Sequence, residues 1–202
     1  MNLLERIKTD KIALGACGAL MLSIVARLLQ VVVLKVTTDY FPLNQDNLMI
    51  VAIGLAPSVL LLAYILYFYK TNMPQLLLPI VFLFQLGVAL WSAWEDYKMA
   101  MMPGTTVLST NLVWIVYYGF LFFVTYKVFK HILVIKIVTI VMGMYSTIGS
   151  LVTWFTMVHA FGEETGMIVS QAVAIVGYTS YYVATFLMVP KAVEVNGDVA
   201  SR

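Results

Sequence analysis

Gln85, Ser92 and Asp96 lie seven and four residues apart, a spacing that puts a carboxamide, a hydroxyl and a carboxylate on one face of a helix. The stretch that carries them ends in Trp91, Trp94, Glu95, Asp96 and Tyr97 and breaks at Pro103-Gly104. Similar rows recur. Ser23, Arg27 and Gln30 share a face, as do Asn111, Trp114, Tyr118 and Thr125. Gly143, Ser146, Ser150, Thr153 and Met157 form another row, and Gln171, Ala174, Tyr178, Tyr181 and Thr185 recur at three, four, three and four. Oriented hydrogen-bonding groups beside aromatic faces are the means of recognising a small molecule, by stacking on its ring or cation and pairing its polar atoms. Catalytic chemistry has no comparable pattern: there is no His-Glu-x-x-His zinc helix, no Gly-x-Ser-x-Gly elbow, no Gly-rich phosphate loop with Lys and no cysteine pair. The chain is therefore expected not to be an enzyme and to need neither metal nor cofactor.

The elements that must position these rows are apolar throughout. Of 202 residues, 62% are hydrophobic and 11% charged, against about a quarter charged in a water-soluble domain. Six runs are long enough to cross roughly 30 Å of hydrocarbon: 12–34, 48–69, 76–94, 107–126, 137–158 and 167–189. The expectation is an all-α integral membrane protein, a six-transmembrane-helix bundle forming one polytopic domain over 1–202, with 190–202 as a short flexible tail after Pro190. The connections are too short for a soluble nucleotide-binding or DNA-binding domain, so nucleic acid is excluded as a partner. Cys17, the one cysteine, lies inside the first run and forms no internal disulfide.

Lys and Arg in short loops set the orientation. The N-terminus, the 70–75 turn, the 127–136 connection and the tail carry nine of them, and the opposite loops carry only Lys35 and Lys98. Both termini are expected to be cytoplasmic, most naturally in a bacterial plasma membrane. The outward loops then hold Asp39, Asp46, Glu95, Asp96, Glu163 and Glu164 against those two lysines, a formal charge of −4. Such a rim either concentrates cations at a mouth or is what remains once basic residues stay inside. His159 near Glu163-Glu164 reads as a solvated interfacial histidine.

Within the runs, Arg27 is costly unless paired, wetted or able to snorkel, and Glu95 or Asp96 is the expected partner. The second run is apolar all round apart from Ser58 and its tyrosines and is expected to face lipid, with Tyr64, Tyr67 and Tyr69 in an interfacial belt. The small residues of the first and fifth runs suit close helix packing.

Polar and aromatic residues gather toward the outer ends. Arg27, Gln30, Trp91, Trp94, Glu95, Asp96, Asn111, Trp114, Tyr118, Gln171 and Tyr178 are accordingly the candidate ligand-binding residues of an outward-facing cup that binds or transports a small neutral or cationic solute. In size and topology this resembles the substrate-capturing subunits of energy-coupling-factor vitamin transporters, a resemblance that implies solute binding alongside other membrane subunits. The alternative is a non-transporting partner, sensor or assembly subunit that uses its small-residue faces to dock another integral membrane subunit within the lipid bilayer.

Overall fold

A computed structural model describes residues 7, 9–37, 45–71, 77–100, 109–126, 131–160 and 165–200. The regular structure among them is all helical: α1 (Lys11–Thr37), α2 (Gln45–Thr71), α3 (Leu77–Ala100), α4 (Ser109–Tyr126), α5 (Ile132–Ala160) and α6 (Thr165–Ala200). Four helices hold stretches long and apolar enough to cross a membrane, Lys11–Val36, Leu78–Glu95, Ile132–Thr156 and Ile168–Glu194. Shorter apolar stretches occupy α2 and α4. Val116, Leu133 and Val152 are among many large apolar side chains on the outer surface, which a bilayer solvates and water does not. These are the features of a membrane-embedded protein.

Local chemistry explains the helix boundaries. Asp10 caps α1, its Oδ1 accepting from the amides of Ile12 at 3.1 Å and Ala13 at 3.3 Å. Pro79 falls in the first turn of α3, where the missing amide has no helical partner to lose. Pro190 does not stop α6. The helix runs on to Ala200, where the sequence reading ends the last span at Pro190 and begins a flexible tail. Burial explains the continuation: Met188, Val189, Ala192 and Val193 all lie in the core, and Lys191 forms an ion pair with Asp10. Tertiary packing here outweighs the lost hydrogen bond.

α6 packs chiefly against α1 and α5. It runs antiparallel to α1, with Asp10 beside Lys191, Gly15 against Leu187 and Ala26 against Gly177. It is also antiparallel to α5, where Trp154 Nε1 donates to the Ile168 carbonyl at 3.0 Å, Thr147 meets Thr179 at 3.1 Å and Gly143 packs under Tyr182. Half of its apolar stretch is buried, 50% against 17% for α1 and α5. Of the small residues at the start of the first run, Ala13 and Ala16 are fully enclosed, Cys17 and Ala19 are half-buried, and Gly15 and Gly18 are exposed.

The buried core is concentrated at one end of the bundle, where α1, α3 and α5 begin. Leu20, Leu61, Phe82, Leu121, Ile135 and Met188 close it. α2 contributes one of its faces: Leu61, Tyr64 and Ile65 are enclosed and Ser58 hydrogen-bonds Ser23 at 3.0 Å. That corrects the expectation of a lipid-facing second helix, and Tyr64 belongs to the core instead of an interfacial belt. A hydropathy pattern that is apolar all round hides which side is buried.

Candidate functional site

At the other end the helices part around a cavity of about 530 Å³, and every helix supplies part of its wall. The polar rows read from the sequence point into it. α1 gives Ser23 and Arg27, and α2 gives Gly54, Pro57 and Ser58. α3 gives Gln85, Val88, Ala89 and Ser92, one row at helical spacing, and α4 gives Trp114 and Tyr118. α5 contributes Tyr145, Ser146, Gly149, Ser150 and Thr153, and α6 contributes Gln171, Gly177, Tyr178, Tyr181 and Tyr182. The small-residue row of α5, which reads as a packing surface, is divided. Gly143 packs against Tyr182, while Ser146, Ser150 and Thr153 line the cavity.

Arg27 turns into this space. It lies ten residues before the end of α1, about 15 Å along the helix axis at 1.5 Å per residue. Its guanidinium carbon sits 3.7 Å from the centre of the Tyr178 ring, a cation–π contact, and Nη1 is 3.5 Å from Gln30 Oε1. Among the described residues no carboxylate reaches ion-pair distance of it, and Glu95, one of its two expected partners, pairs with Lys98 at 2.8 Å. Glu95 and Lys98 are both exposed, and a local pair of that kind contributes little stability.

Gln85 is 3% exposed, and its Nε2 donates to the Tyr181 hydroxyl. Among the described residues no donor reaches its Oε1. Reversing the amide would only exchange which end is unsatisfied. A buried carbonyl without a donor costs about 1–3 kcal/mol, so the wall retains a polar group that the fold itself does not satisfy. Next to it stands an aromatic group centred on Trp114. That ring stacks on Tyr118 at 6.1 Å and 26° and on Tyr182 at 6.0 Å and 25°, with Tyr145 tilted against it at 6.0 Å.

Of the candidate residues, Arg27, Trp114, Tyr118, Gln171 and Tyr178 are brought together on the cavity wall. Gln30 does not line the cavity; its Oε1 lies 3.5 Å from Arg27 Nη1, at the limit of a hydrogen bond. Trp91, Trp94 and Glu95 do not line the cavity; Trp91 and Trp94 are exposed, and Trp94 stacks on Tyr97 at 5.7 Å. A position one or two residues off the Gln85–Ser92 row accounts for this, because it rotates a side chain away from the bundle. The side chains of Asp96 and Asn111, and Glu163 and Glu164, lie outside the described residues. Ser58, Tyr145 and Tyr182 are wall residues that the sequence reading did not single out, and only Ser58, a lone polar residue in an apolar helix, carried a signal. Among the described residues no group of His, Cys, Asp or Glu is arranged to hold a metal ion. No family model matches the chain, and no curated protein or solved structure matches it.

Proposed function

We propose that the protein is a single polytopic membrane domain that binds or transports a small solute in the cavity between its six helices. One observation carries this reading. Residues from the polar rows of α1, α3, α5 and α6, with Trp114 and Tyr118 of α4 and Ser58 of α2, converge on one space of about 530 Å³, inside the roughly 300–1,000 Å³ range of small-molecule sites. The expectation of a neutral or cationic solute rested on an acidic rim and a mouth of Glu95, Asp96, Trp91, Trp94 and Trp114. Of these, Trp114 lines the cavity, and the Asp96 side chain lies outside the described residues. Glu95, Trp91 and Trp94 do not line the cavity, and the solute is proposed without that preference.

The topology proposed is six spans with both termini cytoplasmic in a bacterial plasma membrane. The nine-to-two bias of Lys and Arg supports it. So does the Asp10–Lys191 pair, which ties the start of α1 to the end of α6. α2 at 27 residues and α4 at 18 are about 40 Å and 27 Å long by helical rise, close to or beyond the hydrocarbon thickness. The cavity end would then face outward over a closed cytoplasmic half.

Mass spectrometry of small molecules that co-purify with the protein in mild detergent tests the reading. A metabolite retained in stoichiometric amount by the parent and lost from a Gln171→Ala, Tyr118→Ala variant is the expected result. A preparation free of metabolites that instead retains another integral membrane protein would replace it with the assembly-subunit reading.

A further inference from the structure

Among the side chains described on the cavity wall, Arg27 alone carries a charge. It is far from either end of α1, and it faces Tyr178 instead of running toward an interface. An unneutralised cation at that depth is costly, and the two usual remedies are a paired acid or a bound anion. The guanidinium carbon lies over the Tyr178 ring, and among the described residues the hydrogen bond of the guanidinium N–H donors is to Gln30. Gln30 Oε1 engages one nitrogen at the long distance of 3.5 Å. A planar fork presented in this way matches a carboxylate, which takes two parallel N–H bonds.

We infer that the cavity is a site for a small monocarboxylate that bears a flat ring, with Arg27 holding the carboxylate; this rests on the small-solute reading of the cavity. The charge class follows from balance. One cation neutralises one negative charge, whereas a phosphate dianion would leave an excess that no other described wall residue offsets. The flat apolar body follows from the aromatic wall of Trp114, Tyr118 and Tyr182, a surface on which a ring packs more closely than a branched chain.

The test uses the full chain in nanodiscs of phosphatidylcholine, titrated calorimetrically with phenylacetate, phenylacetamide and phenethylamine, which share a ring and differ in charge. Phenylacetate should bind about tenfold to a hundredfold more tightly than the amide, the scale of a charge-assisted hydrogen-bonded pair. Arg27→Gln should abolish that preference and leave the amide affinity in place. Should that variant fail to fold, Arg27→Lys keeps the charge without the fork and should weaken the acid several-fold relative to the amide. Unchanged acid affinity in the lysine variant, an acid preference that survives Arg27→Gln, or amide or amine binding at least as tightly as acid would overturn the inference and leave the small-solute reading intact. Displacement of phenylacetate by phosphatidylglycerol added to the bilayer would overturn it in favour of a lipid headgroup. No saturable binding by any of the three overturns the inference too, and without a co-purified metabolite the small-solute reading falls with it.

Discussion

Gln85 brings a primary amide into the bundle with one end on the Tyr181 hydroxyl and the other unsatisfied. Removing both partners of such a pair with apolar residues of similar shape is nearly neutral, while removing one leaves an orphan. The double variant Gln85→Leu, Tyr181→Phe should therefore unfold within about 1 kcal/mol of the parent in detergent, yet lose affinity for whatever co-purifying metabolite the parent retains. A large loss of stability with retained binding would instead make the pair structural. Asp10 is the second residue whose role depends on separable contacts, as a cap for α1 and a partner for Lys191. Asp10→Ala removes both and should destabilise by about 1–2 kcal/mol, whereas Asp10→Asn keeps the cap and should cost less than about 1 kcal/mol. Equal melting temperatures for the two variants would count against the cap. Rows of polar residues at helical spacing were legible in the sequence because, in an apolar chain, each polar group stands out. Which neighbours satisfy each group was not legible, since Asp10 with Lys191 and Gln85 with Tyr181 are distant pairs that no local pattern encodes.

At the scale of elements, α1 and α6 meet at Gly177 with room for a Cβ and little more. A Cβ built there would lie 3.4 Å from Ala26 Cβ and 3.5 Å from the Ser23 carbonyl oxygen, with Arg27 Cδ at 3.7 Å. Gly177→Val should overpack this contact, cost about 1–3 kcal/mol and displace Arg27 from the cavity. Gly18→Val is the control, since a Cβ at Gly18 meets nothing within 4 Å, and its unfolding should change by no more than about 0.5 kcal/mol. Similar losses in both would point to helix propensity as the cause, because of the two glycines Gly177 alone lies at the α1–α6 contact. The helices themselves were readable from apolar length, although α3 runs six residues past the expected end at 94 and α5 starts five before the expected 137. The extension of α6 past Pro190 was not, because proline argues locally for a stop while the burial of Val189, Ala192 and Val193 is a tertiary fact. The inward face of α2 was hidden for a related reason: leucine and isoleucine suit lipid and core equally.

Across the whole molecule, a closed end and a hollow end follow from where bulk and polarity sit along six alternating helices. Thr139, 1% exposed and bonded to its own helix through the Ile135 carbonyl at 2.9 Å, belongs to the closed end. Ser150 lines the hollow end. If the basic-residue bias sets orientation as proposed, a C-terminal fluorescent protein should glow and alkaline phosphatase fused after Glu163 should be active, and the reverse pattern would invert the topology. Thiol chemistry then asks which end is open. In intact cells a charged maleimide that does not cross membranes should modify Ser150→Cys. Thr139→Cys should resist, because the reagent must meet a thiolate in water and this position is sealed by packing. Cys17, half-buried beside the same closed core, serves as an internal background that should react as poorly as Thr139→Cys. Protection of Ser150→Cys by the co-purifying metabolite would tie the hollow end to binding. Labelling of Ser150→Cys only in inverted vesicles would turn the cavity toward the cytoplasm and discard the outward-facing cup. Equal labelling of both engineered cysteines would mean that the bundle is open along its length, contrary to a closed end made by Leu61, Phe82, Leu121 and Met188.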